Sequence, residues 1–130
     1  MAATDNFFAR KCIDLSDDVI YAYEKVDELT LFEAAIDGEI FEWDEEKSRI
    51  NFQKHGITFK TAAKVFGDEN RIDEPDFLHS ITEERRRVIG KVGKVLFVVY
   101  TERTFARRII SARAATEKEK VRYYAGKDDN

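Results

Sequence analysis

Residues 43–66 read WDEEKSRINFQKHGITFKTAAKVF, a pattern that predicts two consecutive helices with a sharp break between them. Asp44 is a suitable N-cap for the first helix, and the two glutamates after it place negative charge where the helix dipole favours it. Gly56 predicts the end of this helix, and Thr58 caps the next one. The second helix has apolar residues at i, i+3, i+4 and i+7, namely Phe59, Ala62, Ala63 and Phe66. This spacing predicts one buried face.

The first helix has polar residues along one side. Lys47, Asn51, Lys54 and His55 fall at i, i+4, i+7 and i+8, so they share one side of the helix. Together they offer two cations, an amide and an imidazole. A solvated helix face would show the same pattern, so the spacing alone leaves both interpretations open.

The remainder of the chain predicts a small sheet. Expected strands lie at residues 39–43, 71–75, 85–92, 94–101 and 107–113. The strand at 71–75 is expected at an edge, because Pro75 cannot donate a hydrogen bond in a central strand. The strand at 94–101 reads KVLFVVYT, which is typical of a strand buried on both faces. The order of elements predicts an α+β fold, with helices on a mostly antiparallel sheet.

A terminal helix is expected from Thr116. Glu119 follows three residues later, which completes a capping box. Val121 and Tyr124 are the side chains expected to face inward.

The first part of the chain differs in charge from the rest. Residues 1–41 carry three basic and ten acidic residues, a net charge of −7, whereas residues 42–130 carry 19 basic and 16 acidic residues, a net charge of +3. Apolar residues at helical spacing between Ser16 and Gly38 predict an N-terminal helical segment. We therefore divide the chain into an acidic N-terminal helical extension, 1–38, and a second domain, 39–130. The extension is either a helix packed on this domain or an acidic flap over its basic surface.

Composition excludes several classes of protein. The single cysteine, Cys12, cannot form an internal disulfide, which favours a reducing cytoplasm. No apolar run approaches the ~18 residues of a membrane helix, so no membrane partner is expected. One cysteine and two histidines give no zinc spacing, and neither a metal nor another cofactor is expected.

Several separated blocks resemble one known family. The first block comprises Trp43, Asp44, Lys47, Asn51, Lys54, His55, Gly56, Phe59, Ala62, Val65 and Phe66. Further blocks follow at residues 83–90, 99–103 and 108–113. In this order they resemble the BrnT-type toxins, the ribonuclease half of a bacterial toxin–antitoxin pair. The resemblance covers residues 41–125, and the acidic first forty residues depart from it.

The resemblance implies a fold, an activity and partners. The fold would be RelE-like, with two helices after the first strand and a C-terminal helix. The activity would be metal-independent cleavage of RNA that blocks translation. The partner would be a BrnA-like ribbon-helix-helix antitoxin that buries the active surface and binds DNA. The complex would repress its own operon, so that the toxin would contact DNA only indirectly.

Cleavage of RNA without a metal needs a base for the 2′-hydroxyl, cations for the phosphate and an acid for the leaving oxygen. By resemblance, the expected catalytic residues are His55, Glu102, Arg103 and Arg113. The expected RNA- and phosphate-binding residues are Lys47, Lys54, Arg85 and Arg108. His55 or Glu102 would move protons, and the assignment of base and acid stays open. Strand alternation places Arg113 and Arg108 on opposite faces of the last strand.

Two other functions compete with this one. The chain could be a catalytically inactive module with the same fold that binds RNA or the antitoxin. It could also be an RNA-binding protein with no antitoxin. No aromatic platform alternates with the arginines as in many single-strand binders.

Overall fold

The computed structural model describes residues 9–15, 18–24, 30–80 and 83–128. In these ranges eight strands form one sheet: β1 (Ala9–Leu15), β2 (Asp18–Glu24), β3 (Thr30–Ile36), β4 (Glu39–Asp44), β5 (Ile72–Pro75), β6 (Arg86–Val92), β7 (Lys94–Glu102) and β8 (Arg107–Ala114). The α-helices are α1 (Glu45–His55), α2 (Phe59–Ala63) and α3 (Glu117–Asp128), and two short 3-10 helices cover Lys64–Gly67 and Phe77–His79. The strand order is β1-β2-β3-β4-β8-β7-β6-β5. All pairs are antiparallel except β4 with β8, which confirms the predicted α+β class with a mostly antiparallel sheet.

The break between α1 and α2 forms as the sequence predicts. The Asp44 carboxylate accepts hydrogen bonds from the first-turn backbone N–H groups of α1. Gly56 has a φ of 71° and donates its N–H to the carbonyl of Phe52, which ends the helix in a left-handed cap. The Thr58 side chain caps α2. These local signals therefore fix where the chain turns between the two helices.

The predicted N-terminal helical segment is wrong. The described residues between 9 and 36 form three strands, and Asp37 and Gly38 form the turn that joins β3 to β4. Their φ values are 53° and 83°, as in a two-residue hairpin turn, for which Asp-Gly is a preferred sequence. β-branched and aromatic residues such as Val19 and Tyr21 favour strands, and cross-strand pairing outweighs the helical spacing. Ser16, the expected start of the helix, lies outside the described residues.

This correction changes how the acidic extension relates to the sheet. β1, β2 and β3 pair edge to edge beyond β4 and continue the sheet sideways. One of the two alternatives from the sequence was an acidic flap over the basic surface of the second domain. For the described part of the extension this alternative is wrong.

Apolar side chains pack on both faces of the sheet. On the face that we call the α2 face, Val98, Tyr100 and Ala112 pack with side chains of α2 and of the 3-10 helix after it. On the opposite face, which we call the open face, Phe97 and Val99 belong to a smaller cluster with residues of α3. β7 is therefore buried on both sides, as predicted.

The inward side chain of α3 is Tyr123, which is 1% exposed and donates its hydroxyl hydrogen bond to Asp68. Val121 and Tyr124 are 66% and 39% exposed, so their prediction as inward residues is wrong. Among the α3 side chains that the structure describes, the buried residue is therefore a single tyrosine with a polar partner. One buried residue produces no periodic pattern of apolar residues in the sequence, so the sequence did not reveal which side of the helix faces inward.

A β-bulge in β8 changes which side chains share a face. Val99 pairs with Ser111 but Tyr100 pairs with Ile109, so Ile110 is an extra residue in β8. Ile109 consequently packs on the α2 face, whereas Arg108 lies opposite Thr101 and shares the open face with Ser111. The predicted separation of Arg108 from Arg113 onto opposite faces is therefore wrong.

The helix α1 lies along an edge of β8 that β4 leaves uncovered. β4 pairs with β8 only at Phe41–Arg107 and Glu42–Arg108. Beyond this point, the Asn51 amide donates to the carbonyl of Ala112 at 2.9 Å and accepts from its N–H at 3.2 Å. Asn51 also donates to the carbonyl of Ile57 at 2.9 Å. One side chain thus pairs with β8 as a neighbouring strand would.

Replacing Asn51 by alanine should lower the free energy of unfolding by about 2–4 kcal/mol, because each buried polar group left without a partner costs ~1–3 kcal/mol. Urea denaturation of the purified protein measures this loss. Gln53→Ala is the matched control, since Gln53 is exposed on the same helix. Equal stability of the two variants would show that the amide does not anchor α1.

Candidate nucleic-acid interface

The open face of the sheet carries basic side chains of β6 and β8, on either side of β7. Arg87, Val99 and Ser111 are opposite one another on β6, β7 and β8. In the next row, Ile89, Phe97 and Arg113 are opposite one another. Two cavities open along this face, and β8 contributes residues to both.

The first cavity, which we call the cationic pocket, has a volume of about 270 Å³. It is lined by Asp44, Lys47, Glu83, Arg85, Arg103, Arg108, Ile109 and Ile110. Four of the eight predicted site residues therefore lie together. They come from α1, from the segment before β6, from the turn after β7 and from β8. Segments far apart in the sequence thus place four positive charges around one small volume.

The four cations of this pocket differ in their partners. Arg103 lies 3.3 Å from a carboxylate oxygen of Glu83, and Arg108 lies 3.3 Å from one of Glu42. Among the residues that the structure describes, Lys47 and Arg85 have no carboxylate partner, and the Arg85 Nε is buried without a hydrogen bond. Two positive charges are thus available to an anion without displacing a carboxylate.

The second cavity, which we call the deep pocket, has a volume of about 440 Å³ and holds two more predicted residues. It is lined by His55, Leu78, Arg87, Ile89, Phe97, Val99, Ser111, Ala112, Arg113, Thr116, Lys118, Glu119 and Arg122. His55 reaches it from the end of α1 and Arg113 from β8. Its apolar lining comes mainly from the open-face side chains of β6 and β7.

Two predicted residues lie outside both pockets. Lys54 is exposed on α1 and lines neither cavity. Glu102 pairs across the sheet with Arg107, whose guanidinium lies over the Phe66 ring on the α2 face. The structure therefore does not bring Glu102 together with His55.

Carboxylates hold the arginines of the deep pocket in place. Glu74 on β5 accepts hydrogen bonds from Arg122 of α3, at 2.8 and 3.1 Å, and from Arg87 of β6, at 2.6 Å. Arg122 and then Arg87 lower the pKa of Glu74 to about 2. Arg113 likewise lowers the pKa of Glu119 from its usual value. The sequence analysis did not identify Arg87 as a candidate site residue.

Two further features concern the described residues only. None of their helices is both long and apolar enough to cross a membrane. They also contain no cluster of three or more His, Cys, Asp or Glu side chains that could hold a metal ion.

These features define a small α+β protein with two basic pockets on one face of its sheet. The family model described as ribonuclease toxin, BrnT, of type II toxin-antitoxin system matches residues 43–119. The chain therefore belongs to the BrnT family of ribonuclease toxins. No curated protein matches the chain. The matched residues contain all the side chains that line both pockets, except Arg122.

The stabilising effect of Glu74 should depend on pH. Its pKa is lowered on folding, so the stability that it contributes is present above its usual pKa of 4.5 and is lost as the pH falls toward 2. We expect Glu74→Gln to be less stable than the parent protein by about 1 kcal/mol at neutral pH, the upper range for partly exposed ion pairs. Denaturation at pH 7 and at pH 3 measures the difference, which should be smaller at pH 3. Glu117→Gln serves as the control, because Glu117 is exposed and pairs only with Lys120 among the described residues. A Glu74 effect of equal size at both pH values would contradict this account.

Proposed function

We propose that this chain is an endoribonuclease toxin that cleaves RNA in the cytoplasm without a metal and so inhibits translation. The observation that carries the proposal is the convergence of Lys47, Arg85, Arg103 and Arg108 in the cationic pocket. A phosphodiester gains negative charge in the transition state of cleavage, and positioned cations stabilise that charge. Lys47 and Arg85 are assigned to the first contact with the phosphate, since they have no described carboxylate partner.

Arg103 and Arg108 are proposed as secondary phosphate ligands. The guanidinium fork suits two phosphate oxygens at once, and both arginines are now held by single carboxylate contacts at 3.3 Å. Partly exposed ion pairs contribute ~0–1 kcal/mol, so a phosphate can replace Glu83 at Arg103, where the two side chains are 32% and 39% exposed, at small cost. The Arg108–Glu42 pair is less exposed, at 26% and 18%, so Glu42 is harder to replace.

His55 is proposed as the residue that moves protons. It is exposed at the rim of the deep pocket, and an imidazole is the side chain that most often transfers protons in catalysis. Glu102 is the less favourable candidate, because it faces Arg107 away from both pockets. An RNA strand that follows β8 would contact the cationic pocket and then His55.

The proposed partner is a BrnA-like ribbon-helix-helix antitoxin. Membership in a type II toxin family supports an antitoxin in general. We infer that the antitoxin covers the open face, since burying the basic pockets would block RNA. The antitoxin alone would contact DNA, and the complex would repress its own operon.

One observation favours a second candidate function, an inactive module that binds RNA or the antitoxin. Arg87, Arg103, Arg108 and Arg113 are each paired with a carboxylate. A surface whose arginines stay paired could bind a partner without cleaving RNA.

Replacing both Lys47 and Arg85 by alanine should abolish growth arrest on induced expression and lower the rate of RNA cleavage by about 10²–10³-fold, because charge stabilisation in the transition state is lost. Cleavage of single-stranded RNA by purified protein, with and without a chelator, measures the rate. Lys94→Ala is the matched control, since Lys94 is exposed at the far end of β7.

The two candidate functions give different results in this experiment. Cleavage by the parent protein that survives chelation and is lost in the double variant supports the ribonuclease. RNA binding without cleavage or growth arrest supports the inactive module. Undiminished cleavage by a folded double variant would mean that the cationic pocket is not the site.

A further inference from the structure

The hydrogen-bonding edge of Arg113 is already occupied. Its two terminal nitrogens lie 2.8 and 3.0 Å from the two carboxylate oxygens of Glu119. The Nη1 also donates to the carbonyl of Ala114 at 3.1 Å. This edge is the part of the side chain that would bind a phosphate, so Arg113 is poorly arranged for that role.

The flat faces of the Arg113 guanidinium have different surroundings from its hydrogen-bonding edge. The guanidinium carbon lies 4.0 Å from the centre of the Phe97 ring. The Arg113 side chain is nevertheless 36% exposed and lines the deep pocket. One side of the cation therefore rests on Phe97 while part of it remains accessible, and a planar guanidinium is a surface on which nucleobases stack.

The deep pocket around this cation suits a flat, mainly apolar group. Its volume of about 440 Å³ lies in the ~300–1,000 Å³ range of small-molecule sites. Ile89, Phe97 and Val99 form an apolar floor. Ser111 and His55 at the rim offer a hydroxyl and an imidazole, which can hydrogen-bond to the edge of a base.

The deep pocket follows the cationic pocket along β8. Arg108 and Ile110 line the cationic pocket, and Ser111 and Arg113 line the deep pocket. Arg108 and Ser111 share the open face because of the bulge, and three residues of strand span about 10 Å at ~3.3 Å per residue. One RNA strand can therefore place a phosphate in the first pocket and a neighbouring base in the second.

We propose that the deep pocket binds an unpaired nucleobase of the RNA, which stacks on the exposed face of Arg113. This inference rests on the proposed function for the identity of the substrate. It assigns base contact to Arg113 and leaves phosphate contact to Lys47 and Arg85. Glu119 then has a defined role, since it holds the guanidinium over the Phe97 ring.

Cleavage of RNA with single abasic positions tests the subsite. With the parent protein, removing the base at one position beside the cut should lower kcat/KM by about tenfold or more, a typical effect of one stacked base. Arg113→Lys keeps the charge but removes the planar group. It should slow intact RNA by a similar factor and leave the abasic RNA nearly unchanged. Arg49→Lys is the control, because Arg49 pairs with Glu46 outside both pockets.

Three outcomes of this cleavage experiment would be informative. Equal losses on intact and abasic RNA in Arg113→Lys would identify Arg113 as a phosphate ligand and overturn the subsite. An absence of any abasic effect in the parent protein, while Lys47 and Arg85 remain essential, would overturn the subsite but keep the proposed function. A persistent abasic effect with dispensable Lys47 and Arg85 would keep the subsite and overturn the proposed cationic site.

A binding experiment decides the subsite even without cleavage. Titrations followed by NMR compare nucleoside 5′-monophosphates with ribose 5-phosphate, which lacks the base. We expect the nucleotides to bind at least tenfold more tightly, and Ser111→Trp, which fills the pocket from an exposed position, to remove this difference. Equal affinities for the parent protein would overturn the proposal, and so would an unchanged difference in a folded Ser111→Trp variant.

Discussion

The contact between the Asn51 side chain and the backbone of Ala112 determines where the functional side chains lie. On the side away from β7, β8 has a neighbouring strand only over its first two residues, and farther along the amide of Asn51 takes the place of that strand. Lys47 lies one helical turn before Asn51, and His55 lies one turn after it. Because the amide fixes α1 against β8, Lys47 reaches the cationic pocket and His55 reaches the deep pocket. A helix held by hydrogen bonds needs no apolar stripe, and the two large apolar residues of α1, Ile50 and Phe52, are both exposed. The apolar contacts between these two consecutive helices and the sheet come instead from α2, a short helix that packs on the α2 face.

The bulge at Ile110 has an equally specific consequence. In a regular strand Arg108 would share a face with Ala112 and would point into the core beneath α2. The extra residue turns Arg108 to the open face while Ile109 remains in the core. A single irregular position thus places three polar residues of β8, at positions 108, 111 and 113, along one side of the sheet. Bulges commonly redirect side chains near functional sites, and this one joins two pockets into a continuous surface.

Short-range signals in the sequence were sufficient for some parts of this structure. The caps at Asp44 and Thr58 act within one turn of a helix, and the apolar β7 sequence reports its burial on both faces directly. Lys47, Arg85, Arg103 and Arg108 line one pocket, whereas Arg113 lines the other, and their assignment to a site stays a prediction. Long-range pairing was not predictable in the same way. The Asp37-Gly38 turn was interpreted as the end of a helix, because helical spacing and strand pairing both fit the apolar residues before it. The Asn51 contact joins residues 61 apart in the chain, and the bulge depends on the register between β7 and β8, so no local pattern records either feature.

The ion pairs of the basic residues distinguish their roles better than their positions in the two pockets do. In the described part of the chain, eight acidic side chains lie within 4.0 Å of arginines of β6, β8, α3 or the turn after β7, namely Glu39, Glu42, Asp73, Glu74, Asp76, Glu83, Glu102 and Glu119. A single contact at 3.3 Å, as at Arg103 and Arg108, leaves most of the guanidinium donors available to a phosphate. The two-oxygen contact at Arg113 uses the edge that a phosphate needs and leaves only the flat face. Lys47 and Arg85 therefore provide charge, Arg103 and Arg108 provide exchangeable donors, and Arg113 provides a surface. In a polynucleotide, charged phosphate oxygens alternate with flat bases. The cationic pocket and the deep pocket follow each other along β8 in the same order.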